Sequence, residues 1–405
     1  MTVERVGVVG AGTMGGGIAQ IAALGGYETH LYDLDGKALG HGVEQIRTGL
    51  LRGVERGRWS EQEAVAALER LHSDTIIEVL RNCELVIEAA PEELELKRTL
   101  FGLLSTTCGE DAILATNTSS LSVTAIASSV PRPERVIGMH FFNPPAAMLL
   151  VEIVAGEESG ETALEQAVEA ARRIGRTPIR ARDGIGFVAN RCARPFTLEA
   201  LRMLGEGLAS HEQIDRICRL GGGFRMGPFE LIDLIGVDVN FAVAKSFYEQ
   251  SFGEPRWRPH PIQARMVASD RLGRKRGRGF YSYHQDGPHR ERDPDVEAER
   301  PILEADELER IAGAAAPAVL ERISAQIVNE ACFALGEEVA SAADIDTAMR
   351  LGVNYPLGPL EWGETAGWPW VEGVLAALAG AEDPRRYRVP DAVRWRAAEA
   401  KDAHG

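Results

Sequence analysis

Val6-Gly-Val-Val-Gly-Ala-Gly-Thr-Met-Gly-Gly-Gly-Ile-Ala-Gln-Ile-Ala-Ala-Leu24 decides how the front of this chain folds. Val6 to Gly10 is an apolar run of buried-strand type, and from Gly16 the apolar residues take helical spacing. Between them lies Gly10-Ala-Gly-Thr-Met-Gly15. A GxGxxG turn alone is a weak signal, but set between a strand and a helix it is a strong one. Gly10 permits the tight turn, Gly12 lets the backbone approach a pyrophosphate, and Gly15 lets helix and strand pack closely. Thr13 and Met14 lie within this turn as cofactor contacts, and the pyrophosphate sits on the positive N-terminus of the helix that follows. A second strand, Glu28-Thr-His-Leu-Tyr-Asp33, ends in an acid about twenty residues later, where a carboxylate holds a ribose 2′-hydroxyl. Asp33 repels a 2′-phosphate, so NAD is expected over NADP, although Lys37 lies close by. The alternative is a glycine-rich turn with no ligand.

Outward from this unit, strands and helices alternate. Leu85 to Ala90 and Ala112 to Thr116 read as strands, and Pro91 to Phe101 reads as a helix opening with Pro and acids. Such alternation implies an α/β, Rossmann-type doubly wound sheet. Ligands of such sheets sit beyond the carboxyl ends of the strands. Three strand-end loops therefore point to the cofactor: Ala89 to Glu92, Asn117 to Ser120, and His140 to Asn143. Glu92 and Lys97 are five apart, so they are not neighbours on one helix face, yet each can reach a cofactor. Their alternative is ordinary surface charge. Residues 36–71 carry helical patterns interrupted near Arg58-Trp-Ser60, with Ser60-Glu-Gln-Glu63 as a capping box. Arg47, Arg52, Arg56 and Arg58 in this insertion read first as a solvated helix face, and second as a contact for an anionic substrate tail.

Arg135-Val-Ile-Gly-Met-His-Phe-Phe-Asn-Pro-Pro145 puts His140 at the end of an apolar run, and Met148 to Val154 puts Glu152 inside the next. The Asn-Pro-Pro between them forces a turn. Folded together, the runs set histidine and carboxylate side by side, as a general base and its orienter. A lone histidine after a strand is more often structural. The nucleotide site in the same domain favours the catalytic reading.

The chain has 405 residues, so two or three domains are expected. A net charge of −16 gives no basic face for nucleic acid. Five scattered cysteines without a CxxC pair read as free thiols in a reducing compartment and exclude a zinc framework. With no signal peptide and no membrane-spanning apolar run, the cytoplasm is the expected location.

After Gly184 the pattern becomes helical and repeats. EALRMLGEGLASHEQID (199–215) aligns with EACFALGEEVASAADID (330–346), and RLGGGFRMGPFE (219–230) with RLGVNYPLGPLE (350–361), at a constant offset of 131. This is a duplicated helical module. The expected organisation is a Rossmann domain over 1–183, a first helical domain over 184–284, a linker over 285–316, and a second helical domain over 317–398. Asn190 in the first copy corresponds to Glu321 in the second, so one active site per chain is expected. The second copy reads as structural or regulatory, either packed on the first as an internal pseudo-dimer or docked elsewhere, with the chain a monomer or a homodimer. His211 reads as a helix-start or surface residue and Cys192 as a small core residue.

GAGTMG with Asp33, EAAPEELELK at 88–97, NTSSL at 117–121, GMHFFNPP at 138–145, VEIV at 151–154 and DGIGFVANR at 183–191 together resemble the L-3-hydroxyacyl-CoA dehydrogenase family, especially its bacterial 3-hydroxybutyryl-CoA branch. The resemblance runs to about residue 284. It implies that His140 is the base, Glu152 its partner, and that Ser119 and Asn190 hold the reacting hydroxyl and thioester carbonyl. Asp33 then binds the adenosine ribose, while Glu92, Lys97 and Asn143 lie against the nicotinamide end of NAD. Arg56, with Arg52, falls loosely where the family places a basic contact to CoA. The implied activity is oxidation of a short-chain (S)-3-hydroxyacyl-CoA. Alternatives are a carrier-protein-bound hydroxyacyl group, a sugar acid such as gulonate, or a silent structural relative.

Overall fold

In a computed structural model, residues 2–283 and 303–402 are described. The chain divides into two compact units, Met1–Phe187 and Val188–Gly405.

The first unit is built on an eight-stranded sheet, counted among the described residues. Its strands are β1 (Arg5–Val9), β2 (Glu28–Tyr32), β3 (Leu71–Asp74), β4 (Leu85–Glu88), β5 (Ile113–Thr116), β6 (Val136–Phe141), β7 (Leu150–Ala155) and β8 (Thr177–Arg182), in the order β3-β2-β1-β4-β5-β6-β7-β8. Its helices are α1 (Thr13–Leu24), α2 (Gly36–Glu55), α3 (Glu61–Glu69), α4 (Leu94–Thr107), α5 (Val123–Ala127) and α6 (Glu161–Arg173). All pairs are parallel except β6–β7, which run antiparallel. Strands β4, β5 and β6 are buried along their whole length, as expected for a sheet covered on both faces. Val8, Ile18, Leu31, Ile87, Met139 and Ile153 belong to one apolar core.

Some boundaries differ from the sequence reading. The helical stretch expected to run to residue 71 stops at Glu69, because Leu71–Asp74 pairs with β2. Helix α4 starts at Leu94, after the Pro91-Glu-Glu segment, and continues to Thr107. The capping box at Ser60 and Glu63 forms as expected.

The second unit holds both helical copies: α7 (Ala189–Cys192), α8 (Arg194–Glu206), α9 (His211–Leu220), α10 (Pro228–Ile235), α11 (Val237–Gln250), α12 (Pro261–Ala268), α13 (Ala305–Ala312), α14 (Ala316–Gly336), α15 (Ala342–Gly352), α16 (Pro359–Ala366), α17 (Trp368–Ala381) and α18 (Asp391–Asp402). The expected linker needs correcting. Residues 285–302 lie outside the described residues, but Ala305–Ala312 is a helix that buries Leu308, and α14 already begins at Ala316. The apolar Leu308 and Ala312 of an otherwise charged segment account for that helix. The expected end at 398 also moves, since α18 reaches Asp402. The first boundary shifts from 183 to Phe187, whose ring packs 5.8 Å from that of His140. His211 starts α9 behind the Ser210 cap, and Cys192 is buried, as expected.

The copies meet through reciprocal contacts. Arg191 binds Glu330 (2.8 Å) and Glu337 (2.7 Å), and Arg322 binds Glu199 (2.9 Å) and Glu206 (2.5 Å). Each residue of one set sits 131 positions from its counterpart in the other. Phe224 and Tyr355, themselves counterparts, meet edge to face at 5.0 Å. Asp215 accepts from the N–H groups of Phe229 and Glu230, and Asp346 repeats this with Leu360 and Glu361. A contact in which i meets j while j meets i is the hallmark of a two-fold interface. Here it lies inside one chain.

Two outcomes test this packing. Glu330 is 2% exposed and neutralises both Arg191 and Arg256. Glu330→Gln removes the shared charge and leaves Arg191 to Glu337 and Arg256 to Glu254, and is expected to cost up to about 3 kcal/mol, the lower end for breaking a buried pair, read by denaturant unfolding. A chain ending at Ser282 lacks the second copy, so it is expected to self-associate through the uncovered face. Sedimentation showing the same subunit count as the intact chain overturns that.

Candidate functional site

The turn after β1 has the geometry its glycines promised. Gly10 has φ +96, a left-handed value. A Cβ on Gly15 would lie 1.8 Å from the Gly10 carbonyl oxygen, which rules out any larger residue. A Cβ on Gly12 would meet nothing within 4 Å, so this backbone is open to a ligand. Thr13 and Met14 form the first turn of α1. At the end of β2, Asp33 accepts from the N–H groups of Ala11 (2.8 Å) and Asp35 (2.9 Å), which pins the carboxylate beside the glycine turn. Open backbone, a helix N-terminus and a fixed acid are the chemistry a dinucleotide needs.

The second strand-end loop is tied together by charge. Lys97 of α4 is fully buried and donates to Glu88 Oε1 (2.6 Å), at the end of β4. Glu88 also accepts from the Ala90 N–H and the Thr116 hydroxyl. Glu92 lies off the helix and comes within 3.6 Å of Lys97. The separation inferred from a shared helix face is thus corrected, because only one of the two is helical. Glu92 Oε1 accepts from Thr118 (2.7 Å), the N–H groups of Ser119 (2.9 Å) and Ser120 (3.0 Å), and both serine hydroxyls. It thereby braces the loop that presents the exposed Ser119. Burial raises the Glu92 carboxyl, but Thr118, Lys97 and the serine donors outweigh it and hold the group below the usual carboxylate range. Asn117 accepts from the Phe141 N–H (2.8 Å), which ties β5 to the end of β6.

The β6–β7 pairing sets His140 directly opposite Glu152. His140 Nδ1 lies 2.5 Å from Glu152 Oε2, with the two residues 6% and 0% exposed. Nε2 has no hydrogen-bond partner among the described residues, and Phe142 packs on the ring at 4.6 Å. Asn143 is exposed in the turn, whose Pro145 closes on Gly17 of α1. Between α1 and α2 lies a cavity of about 550 Å³, lined among others by Thr13, Gln20, His41, Gln45, Arg52 and Pro145. Arg52 thus reaches a cavity, whereas Arg56 caps the exposed end of α2. Asn190 lies in α7 of the second unit. Ala89 is bonded to Val9 and abuts Gly10. The sequence reading missed Glu88, Thr118, Phe142 and Phe187. Glu88 alone had a signal, as the one acid in a buried apolar strand.

The family model for the 3-hydroxyacyl-CoA dehydrogenase NAD binding domain matches residues 5–184, and that for the C-terminal domain matches 186–283 and again 319–405. A 3-hydroxyadipyl-CoA dehydrogenase of Escherichia coli is 37% identical, with 98% of each chain covered. A 3-hydroxybutyryl-CoA dehydrogenase of Clostridioides difficile is 40% identical over 69% of this chain and all of its own. A crystal structure of a 3-hydroxybutyryl-CoA dehydrogenase from Escherichia coli K12 covers both chains fully at 36% identity, with a TM-score of 0.88.

Glu92 carries a pH prediction. Its folded value is depressed, so its contribution to stability is complete above the ordinary carboxylate value and is lost as pH falls through the folded one. Ser120→Ala removes one donor and moves the acid unfolding midpoint upward, as read by circular dichroism. A midpoint that stays or falls counts against the bracing role.

Proposed function

The chain belongs to the 3-hydroxyacyl-CoA dehydrogenase family and is an NAD-dependent oxidoreductase, and from that premise we propose that it oxidises a short-chain (S)-3-hydroxyacyl-CoA to the 3-oxoacyl-CoA through a His140–Glu152 dyad. The observation that carries this reading is the buried cross-strand contact at 2.5 Å. Bound NAD supplies the hydride acceptor, so the substrate gives up one hydride to it and one proton to the protein. His140 takes the hydroxyl proton on Nε2, since Nδ1 is engaged by Glu152. Glu152 fixes that tautomer and stabilises the imidazolium that forms. Phe142 and Phe187 limit the water around the ring. Ser119 holds the reacting hydroxyl, and Asn190 donates to the oxygen on which charge develops. The turn made by Gly10 and packed at Gly15 brings the pyrophosphate against Gly12, with Asp33 on the adenosine ribose. Glu92, Lys97, Asn117 and Asn143 shape the nicotinamide end, where Lys97 acts through Glu88 and Glu92. Arg52, on the cavity beside α1, receives the anionic part of CoA, with Arg56 one turn along.

Two relatives matched over almost the whole chain carry different substrate names, 3-hydroxyadipyl-CoA and 3-hydroxybutyryl-CoA. Five buried free thiols suit a reducing compartment, and we place the enzyme in the cytoplasm. The paired helical copies supply internally the contact that two chains would otherwise make, so we read the chain as a monomer.

NADH formation with 3-hydroxybutyryl-CoA, set beside gulonate and a carrier-bound hydroxyacyl group, tests the substrate class. Turnover of gulonate alone overturns the CoA reading, and no turnover with any of them favours a silent relative. His140→Ala is expected to lower kcat by about 10²–10⁴-fold with a much smaller change in KM. Steady-state kinetics showing mainly a KM effect would remove His140 from the role of base.

A further inference from the structure

Arg194 opens α8 and is only 9% exposed, yet it has no carboxylate within ion-pair distance among the described residues. Its Nε donates to the Asn190 carbonyl oxygen at 3.1 Å, and the Phe247 ring lies 5.6 Å from its guanidinium carbon. Its Nη1 has no partner among the described residues. The Tyr355 hydroxyl, which feels the Arg194 charge, is likewise buried and without a partner among the described residues. Other buried arginines of this unit are matched: Arg191 and Arg256 by Glu330, Arg202 and Arg322 by Glu199. Burial pushes the Arg194 guanidinium down to about 10, which still leaves it charged at neutral pH. A buried charge without a counterion is costly and calls for a partner from elsewhere.

The repeat shows that the helical module does not need this arginine. The corresponding residue in the second copy is Ala325, fully buried in α14. The copy that lacks Asn190 also lacks Arg194, so the two residues go together.

We propose that Arg194 receives a terminal carboxylate on the acyl chain, which makes the preferred substrate class a 3-hydroxyacyl thioester of a dicarboxylic acid. This rests on the reading that Asn190 meets the reacting end of the substrate. Asn190 lies in α7 and Arg194 opens α8, and the 3.1 Å contact from Arg194 Nε to the Asn190 carbonyl oxygen holds the guanidinium within a few ångströms of Asn190. In a six-carbon diacid the second carboxyl carbon lies three carbon–carbon bonds of about 1.5 Å beyond the hydroxyl-bearing carbon, a comparable span. The guanidinium fork suits a carboxylate and offers nothing to a methyl terminus.

The test compares kcat/KM of the full chain on 3-hydroxyadipyl-CoA and on 3-hydroxyhexanoyl-CoA, equal in carbon number but uncharged at the tail. The wild type is expected to favour the charged chain by about tenfold or more, as a site with a buried polar group rejects the analogue that leaves it unpaired. Arg194→Met should collapse or invert that ratio, and Arg194→Lys should restore part of it. A wild-type preference for the uncharged chain, or equal rates, overturns the proposal without any variant. A ratio that Arg194→Met leaves intact overturns it as well. Absence of NADH formation with every hydroxyacyl-CoA is a different failure, that of the dehydrogenase reading itself.

Discussion

A carboxylate with no access to water must be matched before a chain can fold around it. Glu152, Glu88 and Glu330 are all at or near zero exposure, and each is matched by a different device. Glu152 meets His140 because the β6–β7 register sets the two opposite. A slip of one residue would turn Glu152 to the other face of the sheet, away from its partner. Glu88 is met by Lys97 from the neighbouring helix, and Glu330 by two guanidinium groups. The His140–Glu152 geometry is thus a by-product of a folding constraint. The same buried pairing that makes the register unique leaves Nε2 as the nitrogen available for chemistry.

Most of the first unit was legible because its signals are local. The strand–glycine turn–helix run, the acid at Asp33 and the proline turn between His140 and Glu152 all depend on residues close in sequence. Glu92 and Lys97 illustrate the limit. Their spacing argued against proximity, but Glu92 sits outside the helix and Lys97 turns inward to Glu88, a partner nine residues back. Which face of a helix is buried at its first turn depends on tertiary packing that periodicity does not carry. The helix over Ala305–Ala312 hid for a different reason. Its segment is charged, and a single buried leucine and alanine anchor it. Arg194 was passed over because nothing in a sequence marks which arginine will lack a counterion.

The repeat was legible in full, since a gapless offset survives any ignorance of packing. What the offset could not say is how far the two halves have diverged in charge. Glu330 takes one guanidinium from Arg191 and a second from Arg256. Its counterpart Glu199 takes one from Arg322, as the repeat demands, but the position matching Arg256 is Tyr387, which donates only a hydroxyl. The missing charge comes from Arg202 on the same helix as Glu199. The position matching Arg202 is Phe333, and Arg256 stacks on that ring at 3.8 Å.

Each buried carboxylate therefore keeps two guanidinium partners, drawn from different positions. In a dimer of identical chains this exchange is unavailable, because every substitution appears on both sides of the axis at once. Joining the copies in one chain removes that restriction. A loss at one site then needs only a compensating gain nearby, and the charge balance of each half can drift alone. The same freedom accounts for Glu321 and Ala325 in place of Asn190 and Arg194. Neither belongs to the reciprocal network, so the closure of the two copies does not constrain either, whereas Arg322, Glu330 and Glu337 carry its charge pairs.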